Sequence, residues 1–176
     1  MRRTLPARYA FPLLSTMLLA LAACTFDHPL APNDELAIDP ALLGRWDLRE
    51  RPDETSRTDE ALVILRFSPT EYLVEAVDGD SSQYFRAWPA QIGGQRFVQL
   101  ELLGSEHAPE ALDGPDRYAV AAYRIEGDSL VVSGLNTELV DADLESTAAL
   151  RAAFEAHLDA PDLFAEPDRY TRVPAP

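Results

Sequence analysis

Short apolar segments of strand length alternate with turn residues along most of the chain. The interruptions are Ser-Pro, Asp-Gly, Gly-Gly and Glu-Gly-Asp. These are typical turn sequences because Gly tolerates positive φ and Pro presets a turn dihedral. The pattern predicts eight strands, over residues 45–49, 61–67, 71–77, 83–90, 96–103, 117–126, 129–135 and 169–173.

The connections between most neighbouring strands are too short for the crossover helices that parallel strands need. Asp78-Gly79 and Gly93-Gly94 suit two-residue hairpin turns. Consecutive hairpins give an antiparallel meander, and about eight such strands can close into a barrel. The predicted fold class is therefore mainly β, an antiparallel meander closing into a barrel. A β-sandwich or a more open sheet packed by one helix is the alternative.

Two of the predicted strands differ in how apolar their two faces are. In 96–103, Val98, Leu100 and Leu102 alternate with Phe97, Gln99 and Glu101, which predicts one buried face. In 117–126 both alternating sets are fairly apolar, so the pattern does not distinguish an inner from an outer face.

One segment, about 146–158, breaks the strand pattern and predicts a helix before the last strand. It is rich in strong helix formers and has Leu150, Phe154, His157 and Leu158 at helical spacing. Ser146 is suited to cap its N-terminus. Such a helix can cover a barrel mouth or a seam between strands.

The first 23 residues have the pattern of an export signal. Arg2, Arg3 and Arg8 make a cationic start, and an apolar run over 11–23 follows. This run is shorter than the roughly 20 residues that a membrane-spanning helix needs. Residues 24–39 contain several prolines and no sustained apolar period, which predicts a flexible, solvated tether. Residues 40–176 are then a single barrel-like domain.

The signal ends in Leu21-Ala22-Ala23-Cys24, which resembles the lipobox of bacterial lipoproteins. The resemblance implies cleavage before Cys24 and attachment of a diacylglyceryl group to its thiol. The membrane is then a partner through this N-terminal lipid, because two acyl chains suffice for stable attachment. Thr25 stands where the family's inner-membrane retention signal usually has Asp. The resemblance therefore implies the periplasmic face of the outer membrane of a Gram-negative bacterium.

Charge and composition narrow the functions further. The chain has 30 acidic residues against 15 arginines and a formal charge of −15. Loss of the three leader arginines would make the rest −18. Such a charge disfavours nucleic acid and anionic headgroups as partners. The single cysteine excludes an intramolecular disulfide and a Cys-pair zinc site. No metal site, catalytic residue or cofactor is predicted.

Gly44-Arg45-Trp46 opens the first predicted barrel strand and resembles the Gly-x-Trp element of lipocalins. In that family the Trp plugs the closed end of the barrel and an Arg from a late strand stacks on it. The resemblance implies a structural plug made of Gly44, Trp46 and Arg172, with Arg169 as the other candidate arginine. A stacked arginine contributes about 0.5–2 kcal/mol.

Aromatic residues on predicted strands could line an interior for an apolar or amphipathic ligand, although such residues more often fill a core. The ligand-binding candidates are Tyr72, Tyr84, Trp88, Tyr118 and Tyr123. The sequence thus predicts a non-enzymatic, lipid-anchored binding module for a small apolar ligand or an envelope component. The alternative is a structural or assembly accessory with a filled core, working through protein–protein contacts.

Overall fold

The computed structural model describes residues 25–33, 36–49, 60–106 and 117–174. The described residues form nine strands, a 3-10 helix at Pro40–Leu42 and the helix α1 at Thr147–Ala156. The strands are β1 Thr25–Phe26, β2 Gly44–Leu48, β3 Glu60–Arg66, β4 Tyr72–Asp78, β5 Ser81–Ile92, β6 Gln95–Ser105, β7 Tyr118–Glu126, β8 Ser129–Gly134 and β9 Asp168–Arg172.

Strands β2 to β9 form a closed, eight-stranded antiparallel barrel. Each strand pairs with the next one along the chain, and β9 closes the ring by pairing with β2. Each of the eight predicted strands corresponds to one of these strands, so the predicted β-barrel is confirmed. Its architecture is consistent with the resemblance to lipocalins. The β-sandwich and the open sheet are excluded by the closed ring of pairings.

The interior of the barrel is one apolar cluster. It is built from alternate residues of the strands, because successive side chains of a strand point to opposite faces. Trp46, Tyr72, Phe85, Leu100 and Leu130 are among its buried members.

A second apolar cluster lies outside the barrel, between its wall and the segments that cover it. We call the covering segments, residues 25–33 and 135–164, the outer layer. Phe26 from the N-terminus and Phe154 from α1 pack there with Phe97 of β6 and Val120 of β7. Both faces of these two strands are therefore buried along part of their length. This explains why the pattern in 117–126 is apolar on both faces. The prediction of a single buried face for 96–103 is wrong, because Phe97 and Gln99 of the other face are buried beneath the outer layer.

Helix α1 lies before the last strand, as the sequence predicts. Its N-cap is Ser146, whose side chain accepts a hydrogen bond from the backbone N–H of Ala149 at 3.2 Å. Leu150 and Phe154 are its buried residues. They contact the outer cluster, so the helix covers the barrel wall. Gly93, in the β5–β6 turn, has φ +57°, and a Cβ there would lie 2.2 Å from a methyl group of Leu158. Glycine at this turn thus permits the close approach of the segment after α1.

The prediction of a solvated tether is wrong for the part of 24–39 that the structure describes. Phe26, Leu30, Ala31 and Ile38 are buried. Strand β1 pairs with β7, and the following residues cross the outer wall before the 3-10 helix. The few apolar residues between the prolines pack onto the barrel, and composition alone does not indicate such contacts.

Strand β1 occupies a defined place in the sheet. Tyr118 and Ala119 pair with β6 on one edge of β7 and with β1 on the other edge. Residues 121–126 pair with β8, which lies on the same edge as β1. Strand β1 therefore continues the line of β8 along β7, at the seam where the chain after β8 leaves the barrel.

Candidate functional site

The barrel interior is the site that the sequence predicts for an apolar ligand, and it holds a small cavity. Its volume is about 50 Å³. Eleven residues line it, namely Leu42, Leu62, Ile64, Tyr72, Val74, Val98, Leu100, Ala121, Tyr123, Leu130 and Val132. Ligand pockets for drug-sized molecules measure roughly 300–1,000 Å³. The side chains therefore fill most of the interior.

Two of the predicted aromatic residues, Tyr72 and Tyr123, point into the barrel and meet at Asp39. The Asp39 backbone N–H donates to the Tyr72 hydroxyl at 2.6 Å. The Tyr123 hydroxyl donates to Asp39 Oδ2 at 3.4 Å. The other carboxylate oxygen of Asp39 accepts the N–H of Ala41 at 2.9 Å, which caps the 3-10 helix. The two tyrosines thus fix the segment that closes this end of the barrel.

Burial raises the pKa of both tyrosine hydroxyls. For Tyr72 the loss of water around the phenolate is the largest cause. For Tyr123 burial is again the largest cause of the raised pKa, followed by charge repulsion from Tyr72 and Asp39. Both groups therefore remain protonated at neutral pH and act as hydrogen-bonding groups rather than as bases.

The same end of the barrel contains the predicted plug. The Arg172 guanidinium carbon lies 4.0 Å from the centre of the Trp46 ring. Arg172 also donates to the carbonyl oxygens of Leu43 at 2.9 Å and Ala41 at 2.5 Å. The indole N–H of Trp46 donates to Leu42 O at 2.8 Å. Arg169, the other candidate, instead pairs with Glu126 at 3.2 Å.

Gly44 belongs to the plug for a steric reason. Its φ is +132°, and a Cβ at this position would lie 3.1 Å from Arg172 Nη1. Any larger residue would meet both a strained backbone and the guanidinium. The absence of a side chain at Gly44 thus leaves room for the Arg172 guanidinium, which stacks on the indole of Trp46.

The prediction that five aromatic residues line one interior is wrong for three of them. Tyr84 donates to Glu75 Oε1 at 3.3 Å, on the outer face. Trp88 donates to the carbonyl oxygen of Ala31 at 3.3 Å, beneath the outer layer. Tyr118 packs against the outer cluster, next to Arg117. The reason is strand parity, since these residues alternate with the inward ones.

Gln99 is a key residue that the sequence analysis did not single out. It is fully buried on β6, between the barrel wall and the outer layer. Its Oε1 accepts the N–H groups of Leu30 at 2.8 Å and Ala31 at 3.2 Å. Its Nε2 donates to the carbonyls of Ala119 at 2.9 Å and Leu100 at 3.3 Å. The amide therefore uses two acceptor and two donor positions, which is its full capacity.

A third feature is an exposed apolar area on the outer face at β3 and β4. Leu65 is 51% exposed and Phe67, just after β3, is 64% exposed. Leu65 lies opposite the half-buried Leu73 of β4. We call Leu65, Phe67 and Leu73 the β3–β4 patch. Arg66 lies between Leu65 and Phe67 in the chain but belongs to the opposite face of β3, since it pairs with the inward-facing Tyr72.

Other chemistry is limited within the described ranges. They hold no group of three or more metal-ligating side chains close enough for one ion. None of their helices has the length and apolarity to span a bilayer. Leu21, Ala22, Ala23 and Cys24 of the lipobox-like sequence lie outside the described residues.

Comparisons with known proteins add no relationship. No protein-family model, no curated protein and no solved structure matches this chain.

Proposed function

We propose that the mature chain is a lipid-anchored, non-enzymatic protein of the bacterial envelope that binds an envelope protein through the outer surface of its barrel. The anchor is the diacylglyceryl group implied by Leu21-Ala22-Ala23-Cys24. The proposed location is the periplasmic face of the outer membrane.

The observation that carries the proposal is the filled interior. A cavity of about 50 Å³ is several-fold below the pockets that hold organic ligands. The interior side chains are large, and Trp46 with Arg172 plugs one end. Binding at the outer surface is therefore favoured over binding inside the barrel.

The β3–β4 patch is the part of that surface best suited to a protein partner. Large apolar side chains exposed together mark interaction sites more often than singly exposed ones do. The partner we propose presents apolar side chains, because these complement Leu65, Phe67 and Leu73.

Site-specific crosslinking in the native host tests this surface. A photoreactive residue replaces Phe67, and a matched control replaces the exposed Arg151 of α1. We expect one envelope protein to crosslink at Phe67 and not at Arg151, and Leu65→Glu in the Phe67 probe chain should weaken that crosslink. Equal crosslinking at both positions, crosslinking at neither, or no effect of Leu65→Glu would contradict the patch.

The anchor is tested separately. Cys24→Ser should shift the protein from the membrane fraction to the soluble fraction, since no other residue of the lipobox-like sequence carries a thiol. Intact mass of the native wild-type chain should show cleavage before residue 24 and the added lipid. If Cys24→Ser fractionates with membranes at the wild-type level, lipid anchoring is contradicted. The crosslinking result does not depend on this outcome.

A second candidate, binding of a small apolar molecule in the barrel, is favoured by the composition of the cavity wall. Aliphatic side chains and the rings of Tyr72 and Tyr123 line it. Native mass spectrometry of the delipidated domain, purified from its own host, would detect a retained molecule. Ala121→Leu, which fills the cavity, should release it, whereas Ala122→Leu on the opposite strand face should not.

A further inference from the structure

The first residue after the lipobox-like cysteine is already part of the folded domain. Thr25 pairs with Ala119 and Phe26 pairs with Tyr118. The Cα of Cys24 is one peptide bond away from Thr25, about 3.8 Å. A free linker over 25–39 would instead span about 20 Å on average. The attachment point of the lipid is therefore tied to the barrel itself.

The segment after β1 is held by polar contacts as well as by burial. Gln99 binds two of its N–H groups, and Trp88 binds the carbonyl of Ala31. Further along, the Asn33 amide donates to Glu71 Oε1 at 2.7 Å, and Glu71 is paired with Arg86. Peeling this segment away would break these hydrogen bonds and expose the buried side chains of Phe26 and Leu30 to water. The described part of the N-terminus is thus a fixed element.

The order of strands gives the direction in which the attachment point faces. Strand β1 lies on the β7 edge that also pairs with β8. Around the ring, β6 and β5 separate β7 from β4, while β9 and β2 separate β8 from β3. The β7–β8 seam and the β3–β4 pair are therefore on opposite sides of the barrel.

We propose that the flank at the β7–β8 seam faces the lipid bilayer at close range, so that the barrel has one orientation on the membrane. The β3–β4 patch then points away from the lipid, towards a protein partner. This inference rests on the proposed lipid anchor at Cys24, which supplies the attachment. The bilayer contact itself needs no attraction to headgroups, which a chain of this acidity would not provide.

Energy transfer in vesicles measures the orientation. The lipidated protein is reconstituted in phosphatidylcholine vesicles that contain an acceptor dye on a small fraction of headgroups. Because Cys24 is the only cysteine and its thiol carries the lipid, an added cysteine gives a single labelling site. One donor is attached at Glu138→Cys, exposed in the segment after β8, and the other at Leu65→Cys on β3.

We expect several-fold stronger transfer from the label at position 138 than from the label at 65. Insertion of eight flexible Gly and Ser residues between Cys24 and Thr25 is the matched control. The insertion gives the anchor a reach of about 15 Å without changing the barrel, so energy transfer from the two labels should become similar.

The outcomes separate the two proposals. If the wild-type chain floats with the vesicles but both labels transfer equally, the orientation is wrong and the lipid anchor stands. If transfer is stronger at 65 than at 138, the orientation is reversed and the inference is overturned. If the native protein carries no lipid and does not float with the vesicles, the proposed anchor fails, and the orientation fails with it.

Discussion

The barrel interior and the outer layer are both apolar, but they are assembled in different ways. The interior forms between strands that are neighbours along the chain, and their alternation places the apolar side chains inside. The outer layer packs Phe26 and Phe154, from distant parts of the chain, against Phe97 of β6. The interior therefore depends mainly on pairing between strands that follow one another, together with the long-range closure of β9 on β2, whereas the outer layer depends throughout on contacts between distant segments.

Each region also has a different polar element. At the closed end of the interior, Arg172 stacks on Trp46 and binds backbone carbonyls. Beneath the outer layer, Gln99 of β6 accepts two N–H groups of the N-terminal segment through Oε1 and donates to barrel carbonyls through Nε2. The first element closes the barrel, and the second attaches a remote segment to it. Substitutions in each element separate these roles.

The largest effect is expected for Trp46→Ala. Removing a fully buried indole from the closed end should lower the free energy of unfolding by about 3–5 kcal/mol. Urea or guanidinium unfolding, followed by circular dichroism, measures the change. An unchanged midpoint would remove Trp46 from the core and end the plug interpretation.

Phe154→Ala should cost about 3 kcal/mol, at the lower end of the range for buried aromatic truncations. Its ring contacts Phe97, with ring centres 5.5 Å apart, and Phe164 at 6.3 Å. Native-state hydrogen exchange tests where the loss falls. The N–H groups of Leu30 and Ala31 should exchange faster, while those of the β3–β4 ladder should keep their protection. Uniform loss of protection would show that the two regions form one cooperative unit.

Gln99→Leu should lower stability by about 2 kcal/mol, because it leaves the N–H groups of Leu30 and Ala31 without an acceptor in a buried site. Gln91→Leu on β5 is the matched control. Gln91 is exposed, so that change should stay within about 0.5 kcal/mol. Equal effects of the two substitutions would mean that the amide does not fasten the N-terminal segment.

The smallest effect at neutral pH concerns the tyrosines at Asp39. In the unfolded chain, tyrosines ionise near pH 10. In the barrel the pKa values of Tyr72 and Tyr123 are raised, so the folded state then binds more protons than the unfolded state. The stability that these two tyrosines contribute is therefore fully present below about pH 10, and it is lost as the pH rises through their raised pKa values.

Unfolding measured from pH 8 to 11 checks this dependence. The double variant Tyr72→Phe with Tyr123→Phe should flatten the alkaline decline, and Tyr118→Phe on the outer face of β7 serves as the control. A decline of the same steepness in the double variant would place its cause elsewhere in the molecule.

The fold was largely predictable because its signals are local. Turn sequences and alternating apolar positions are properties of short stretches, and these gave all eight barrel strands and the helix before the last one. Ser146 was identified as the cap for the same reason. The spacing of Gly44 and Trp46 also indicated where the barrel begins.

The site was less predictable. Where both alternating sets of a strand are apolar, the sequence does not show which set points into the barrel. The prediction that Tyr84, Trp88 and Tyr118 line the interior is wrong for this reason. Gln99 gave no signal, because a glutamine on a strand is ordinarily a solvent-facing residue. Asp39 was assigned to a tether, although its position just before Pro40 is typical of a helix cap.

The sequence by itself determined the eight barrel strands and their meander, because alternation and turn chemistry act over a few positions. Only the tertiary structure decided that residues 25–33 belong to the folded domain and that the interior is nearly full. Both depend on contacts across long sequence separations, such as the one between Ala31 and Gln99, and on how side chains from eight strands share one volume.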